Sequence, residues 1–283
     1  MIGVIAHVEK AGAAEALGSV IAALRSRQVP FLVETKTALL AGLPTGLETP
    51  ALAEKCDLLL VMGGDGTILR VIHHITENIP PIFGLNIGSL GFLTCLGAKE
   101  IDAATDCIVA KNYVLSPRCL LRTTLIQNEE RCHFDALNEV VVSRGERSQL
   151  VKVRVLIDRV VLTDYYADGL IVATPTGSTA YSLSSGGPIL MPDSGSLVVT
   201  PICPHVLTNR SVVVGDNSVI ELQPKDAQQE VFLTVDGHAT RRICGGERLE
   251  IRKSSRILPL AMLPGQSFSE VLRQKLKWSG SNI

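Results

Sequence analysis

The segment Gly63-Gly64-Asp65-Gly66-Thr67 carries the residue types needed to handle a phosphate and a proton together. It follows an apolar run at 58–62 and leads into a stretch of helical spacing that contains Arg70. A buried strand feeding a glycine turn into a helix aims unpaired backbone N–H groups at the turn, and that makes an anion site suited to phosphate. Asp65 is out of place there, because a carboxylate among phosphate-cradling amides has to hold a cation or take a proton. No Lys-Ser/Thr pair follows and no GxGxxG is present, so the turn is neither a Walker A loop nor a Rossmann fingerprint. The bland alternative is a tight turn with Asp65 as helix N-cap.

Three further segments bear on this one. The stretch 84–94 (GLNIGSLGFLT), with Asn86, is a second glycine-punctuated loop beyond a strand end. Ligands of open α/β sheets collect at the carboxyl ends of strands, so the two loops can share a cleft; as a plain connection, Gly88 and Gly91 would serve turn geometry only. Asn138 and Glu139 place an amide beside a carboxylate, which suits a vicinal diol, although the pair alone equally fits a solvated strand end. The stretch 168–188 runs from Asp168 through a buried strand into a loop of hydroxyls and glycines, and the loop caps a short helix around 180–183. Thr176, Ser178 and Thr179 supply donors, and Tyr181 offers an aromatic plane for a nucleobase.

These segments need a scaffold of alternating elements, and the first part of the chain supplies one. Apolar runs at 2–6, 31–34, 58–62 and 82–86 read as strands. Helical spacing follows at 11–27 (Ala13, Leu17, Val20, Ile21, Leu24), from the glycine turn to about 76, and at 99–111. Pro44, Gly46 and Pro50 mark a loop with at most short helices. Such alternation predicts an α/β domain with a parallel sheet over 1–116. Past Ser116 and Pro117 come many short strand-like runs separated by turn residues, which predicts an all-β, sandwich-like domain over 117–265. A last helix at 268–277, with Val271, Leu272 and Leu276 on one face, lies in a segment 266–283 expected to pack back on the N-terminal domain.

Composition narrows the function. In 283 residues, 46% hydrophobic and 19% charged with a net charge of -1, no basic field points to nucleic acid or a membrane surface. The seven cysteines (Cys56, Cys95, Cys107, Cys119, Cys132, Cys203, Cys244) are never spaced as CxxC and read as reduced packing residues. His73 and His74 are adjacent on a helix, so they point apart and do not read as metal ligands. The first residues carry no basic leader, Glu9, Lys10 and Glu15 break their apolar pattern, and no apolar run is long enough to span a bilayer. A cytoplasmic protein is expected.

In this order the motifs resemble the NAD kinase family, its bacterial members in particular. The residues that carry the resemblance are GGDGT at 63–67, GLNIGSLGFLT at 84–94, Asn138-Glu139, DGLIVATPTGSTAYSLSSGGP at 168–188, PHVLTNR at 204–210 and VDGH at 235–238. The resemblance implies that family's two-domain fold. It also implies transfer of the terminal phosphoryl group of a triphosphate to the 2′-hydroxyl of the adenosine ribose of NAD, giving NADP. ATP or polyphosphate would be the donor, a divalent cation such as Mg²⁺ would accompany it, and the assembly would be a homodimer or homotetramer. By motif, Asp65 is the general base, and Gly63, Gly64, Gly66 and Thr67 form the phosphate turn. Asn86 belongs to the nucleotide site, and Asn138 and Glu139 hold the adenosine ribose or its neighbourhood. Thr176, Thr179, Ala180, Tyr181, Ser182, Leu183 and Ser184 line the adenine pocket. Asp168 faces the nicotinamide end, with a neighbouring subunit as its source, and His205, Asp236 and His238 add further contacts. Arg70, Arg147 and Arg210 are candidate phosphate contacts, and Tyr166 is close enough to the dinucleotide to bear on NAD against NADH. Two rivals share part of the pattern. A lipid or sphingoid-base kinase has the GGDGT turn without reason to keep the other motifs, and a non-catalytic dinucleotide-binding regulator has no need of Asp65.

Overall fold

A computed structural model describes residues 1–88, 91–127, 130–145, 149–226, 230–243 and 246–278. Arg147 and Cys244, both singled out above, lie outside these residues. The chain divides into two compact units, one of Met1–Pro117 with Leu258–Ile283 and the other of Arg118–Ile257.

The first unit opens with β1 (Ile2–Ala6), α1 (Ala13–Ser26), β2 (Phe31–Val33), α2 (Thr35–Leu40) and α3 (Thr49–Lys55). It continues with β3 (Leu58–Gly63), α4 (Asp65–His74), β4 (Ile82–Asn86), β5 (Leu96–Gly97) and α5 (Ile101–Val109). Strands β1, β3 and β4 are buried at every position, which is why each is a continuous apolar run rather than an alternating one. They lie parallel and in step: Ala6 pairs with Met62, and Gly63 with Asn86. Their carboxyl ends therefore stop at one level, where His7 N–H still donates to Met62 O and Ile87 N–H to Gly63 O. Helix α1 buries Ala13, Leu17, Val20, Ile21 and Leu24, the apolar set that its spacing predicts. The Pro- and Gly-marked segment holds two short helices, α3 taking Pro50 in its first turn, where a missing N–H costs nothing.

The second unit takes up β6 (Val114–Gln127), whose first residues belong to the first unit, and then β7 (Glu130–Ala136), β8 (Glu139–Arg144), β9 (Val151–Ile157), β10 (Val160–Ala167) and β11 (Gly169–Ala173). After α6 (Tyr181–Ser184) come β12 (Ser196–Ile202), β13 (Val212–Gly215), β14 (Ile220–Pro224), β15 (Val231–Val235), β16 (His238–Ile243) and β17 (Arg248–Met262). One antiparallel sheet has the order β13-β12-β11-β8-β15-β16; β10, β9, β14 and the start of β17, with β6 and β7, form another. Between them lies a core that includes Val140, Val142, Val153, Val155, Leu170, Val172, Leu222 and Leu249. Strand β11 is buried on both faces, Ile171 and Ala173 packing with Val141, Leu190, Val198 and Ile202 on the other side. Leu190 comes from the segment after α6, so the hydroxyl-rich loop is anchored against the back of this sheet.

The end of β17 crosses into the first unit, where Leu260 and Ala261 pair in parallel with Ile82 and Phe83 of β4. Helix α7 (Phe268–Leu276) closes that unit, with Val271 and Leu272 buried. An N-terminal α/β unit with a parallel sheet and a C-terminal antiparallel β unit are what the sequence pattern predicts. Among the described residues no helix is long and apolar enough to cross a membrane, and the six described cysteines are in the thiol form, with no disulfide among them.

Candidate active site

Strand β3 runs through Gly63, Gly64 is the N-cap of α4, and Asp65 is already the first helical residue. The expected multi-residue turn is thus a single residue, and Asp65 is not the N-cap. The close fit explains why: a Cβ on Gly63 would lie 2.2 Å from Thr67 Oγ1, so the helix folds directly back over the strand end. Thr67 Oγ1 in turn accepts from Gly64 N–H at 3.4 Å.

The Asp65 carboxylate crosses to the second glycine loop. Oδ2 accepts the N–H of Phe92 at 2.8 Å, and Oδ1 accepts the N–H of Leu93 at 3.0 Å. Hydrogen bonds to an ionised group contribute about 1.5–3 kcal/mol each, so the two amides fix the carboxylate plane. Each oxygen keeps a lone pair for a further donor. Gly91 makes room for this arrangement, since a Cβ there would lie 1.9 Å from Asp65 Oδ1. The two loops do meet, and Gly91 permits their close approach. Gly88 is different: its φ of 123° is a backbone state that favours glycine.

Lys10 is a residue that the sequence reading passed over. Its Nζ is 3.3 Å from the point a Gly88 Cβ would occupy and 3.9 Å from that of Gly64. An ammonium group therefore stands over the glycines at the ends of β3 and β4. The available signal was position, four residues past β1 in a parallel sheet whose carboxyl ends gather ligands. Asn86, at the end of β4, is 1% exposed, and its Oδ1 has no hydrogen-bond partner. Arg70 is half-buried one turn into α4.

In the second unit Asp236 organises the residues at the start of β8. It begins a two-residue hairpin turn with Gly237 (φ 48° and 80°), the Asp-Gly geometry that matches strand twist. Its buried carboxylate accepts the N–H groups of Leu137 (2.7 Å), Asn138 (2.8 Å) and Glu139 (3.0 Å). Glu139 is 6% exposed, and its Oε2 has no partner. Burial, and then the Asp236 charge, push its carboxyl up to about 8, against the pull of a hydrogen bond from the Tyr181 N–H. A Cβ on Gly177 would fall 2.0 Å from Asn138 O, so the hydroxyl-rich loop lies directly on the Asn138-Glu139 backbone.

That loop uses many of its hydroxyls on itself. Thr174 donates to Leu137 O (2.6 Å), Ser178 to Pro175 O (2.6 Å) and Thr179 to Thr176 O (3.0 Å), while Ser182 shares a hydrogen bond with Thr200 (2.9 Å). Thr176 is buried, Ala180 and Leu183 are half-buried, and Ser184 is exposed. The Tyr181 ring, 46% exposed, lines a cavity of 340 Å³ with Ser143, Arg144, Gly145, Asp168 and Ile202. Arg144, also absent from the sequence reading, holds Asp168 at 2.6 Å. His205 is exposed, its N–H bonded to Tyr166 O. Arg210 turns its guanidinium back onto the carbonyls of Leu207 and Asn209. His238 is exposed at the start of β16, and Tyr166 is exposed on β10.

The model of the ATP-NAD kinase N-terminal domain matches residues 2–113, and that of the ATP-NAD kinase C-terminal domain matches 137–263. An NAD kinase of Solibacter usitatus is 37% identical over 277 residues, 98% of this chain and 96% of that protein. This chain belongs to the NAD kinase family. The fold agrees with solved members: yeast NADH kinase complexed with NADH superposes at a TM-score of 0.90 and 24% identity, covering 100% of this chain and 88% of that one. An NAD kinase from Archaeoglobus fulgidus in complex with ATP gives 0.74 and 24%, covering 99% and 100%. As in other NAD kinases, the activity to be explained is phosphoryl transfer, and the two clusters around Asp65 and Glu139 carry the unusual geometry.

Proposed function

We propose that this NAD kinase transfers the terminal phosphoryl group of ATP to the 2′-hydroxyl of the adenosine ribose of NAD, with Asp65 as general base. As the ribose oxygen bonds to the γ-phosphorus, its proton passes to the Asp65 carboxylate, the bond from phosphorus to the β,γ-bridging oxygen breaks, and ADP leaves with that oxygen. The carrying observation is the Asp65 carboxylate, held by two backbone amides at the carboxyl end of β3 with lone pairs left over.

Lys10 and the backbone at Gly64 are assigned to the phosphates of the donor, where positioning and charge neutralisation do most of the work. Asn138 and the unpartnered oxygen of Glu139 are assigned to the ribose, Tyr181 to the adenine, and Asp168, through the cavity it shares with Tyr181, to the nicotinamide end. Among the described residues no three His, Cys, Asp or Glu side chains cluster as a metal cage. A Mg²⁺ ion would arrive on the triphosphate and offset its charge. The reading includes a cytoplasmic homodimer or homotetramer. It is tested by incubating the protein with NAD, ATP and Mg²⁺ and detecting NADP with an NADP-specific dehydrogenase. NADP above the blank is expected, and its absence sinks the proposal. Asp65→Asn should abolish most turnover while NAD still binds; a wild-type rate would remove Asp65 as base.

A further inference from the structure

The loop that holds Asp65 is itself held from its other side. The Phe92 ring lies against that of Phe268, the first residue of α7, with centroids 6.2 Å apart and planes tilted by 43°. Lys275, two turns along the same helix, places its Nζ 5.8 Å from the Phe92 ring centroid. Gln266 Nε2 reaches Cys95 O at 3.4 Å, and Cys95 Sγ donates to Ala261 O at 2.9 Å. Loop residues 92–95 thus touch the 261–275 segment at several points, and the Phe92 residue that packs on α7 also supplies one of the two amides on Asp65.

Helix α7 is built to be a firm support. Ser267 and Glu270 close a reciprocal cap, Glu270 N–H donating to Ser267 Oγ at 3.2 Å and Ser267 N–H to Glu270 Oε2 at 3.0 Å. Val271 and Leu272 bury the inner face. A loop between strand ends has few ladder bonds of its own, so its backbone is only as well placed as its side-chain anchors.

We infer that Phe268 is a positioning residue for catalysis: through its ring contact with Phe92, α7 sets the backbone amides that orient the Asp65 carboxylate. The inference rests on the proposed role of Asp65 as base. Phe268 packs on Phe92 and is not among the residues assigned above to the dinucleotide, so its effect should fall on the chemical step and not on NAD affinity. Losing the ring frees the Phe92 backbone to drift, and small misplacements of a reacting group lower rates steeply.

The test compares Phe268→Ala, Phe268→Tyr and the wild type by steady-state kinetics and by amide hydrogen exchange. In Phe268→Ala, kcat should drop about 10-fold with KM for NAD within about two-fold of wild type. Exchange at the Phe92 and Leu93 amides should quicken while that in β3 stays unchanged. Phe268→Tyr, which keeps the ring, should restore both readouts. An unchanged kcat, unchanged exchange at Phe92 and Leu93, or a loss that Phe268→Tyr fails to restore overturns the inference. Should Phe268→Ala not fold, Phe268→Leu removes the ring while keeping apolar volume and is read in the same way. Asp65→Asn in the same assay separates the two levels: full activity there refutes the base, whereas a dead Asp65→Asn beside a fully active Phe268→Ala refutes only the positioning role.

Discussion

Gly91→Ala should disable this enzyme through a single methyl group. The added Cβ would sit 1.9 Å from Asp65 Oδ1, 2.6 Å from Cγ and 2.9 Å from Oδ2. Ordinary contact needs well over 3 Å, so something has to move by roughly 1 Å or more. If the carboxylate retreats, it leaves the N–H groups of Phe92 and Leu93; if the loop retreats, those amides leave the carboxylate. Both routes separate the proposed base from the donors that orient it.

A misplacement of about 1 Å at a reacting group costs on the order of 100-fold in rate. We therefore expect kcat for NADP formation to fall about 100-fold in Gly91→Ala, with NAD affinity by calorimetry unchanged, because the residues assigned to NAD lie in the other unit. Loss of one or both charge-assisted hydrogen bonds should also lower the melting temperature. A variant that keeps kcat within a few-fold of wild type, with its fold intact, would refute the reasoning.

Two further outcomes follow from neighbouring geometry. Lys10→Met should raise KM for ATP by about 10- to 100-fold, the equivalent of one lost charge-assisted contact to phosphate, and leave KM for NAD alone; Lys10→Arg should recover part of it, and an unaltered KM for ATP would remove Lys10 from the donor site. Glu139→Gln tests the buried carboxyl through stability. A carboxyl pushed up to about 8 by burial and by Asp236 binds its proton more tightly folded than unfolded, where 4.5 applies, so its contribution is present in full below 4.5 and is lost as pH rises toward 8. The melting temperature of Glu139→Gln relative to wild type should accordingly be higher at pH 8.5 than at pH 5, by about 2–4 °C for each kcal/mol, and a gap that does not change with pH would contradict the assignment.

Much of the scaffold was legible because its signals are local. Strands β1, β3 and β4 are apolar at nearly every position, since both faces of a parallel sheet are covered, and α1 shows its buried stripe residue by residue. The oddity of Asp65 was legible from type alone, a carboxylate at a turn whose amides suit phosphate. Its partners were not, because Phe92 and Leu93 are 27 and 28 residues away and donate through backbone atoms that every residue has. Lys10 escaped for a similar reason: a lone lysine in a loop reads as solvated until the ends of β3 and β4 are brought beneath it. The hydroxyls of Ser178, Thr179 and Ser182 looked like ligand donors, yet their bonds close the loop on itself. Type and spacing cannot tell a donor that serves a ligand from one that folds its own segment.

The proposed function assigns two carboxyl groups, Asp65 and Glu139, to the handling of the ribose, and their surroundings differ. Glu139 is buried beside Asp236, so at neutral pH it is largely the protonated acid, able to donate a hydrogen bond but short of the lone pair a base needs. Asp236 already accepts three backbone N–H groups and shapes the turn that it begins. Asp65 alone stands at the end of a parallel strand, close to the glycines beneath Lys10, where a triphosphate would be cradled. In an in-line transfer the base must reach the oxygen that attacks the γ-phosphorus, so it belongs with the phosphates. On that ground Asp65 is the stronger candidate for the proposed base, and the protonated Glu139 for a residue that would orient the ribose.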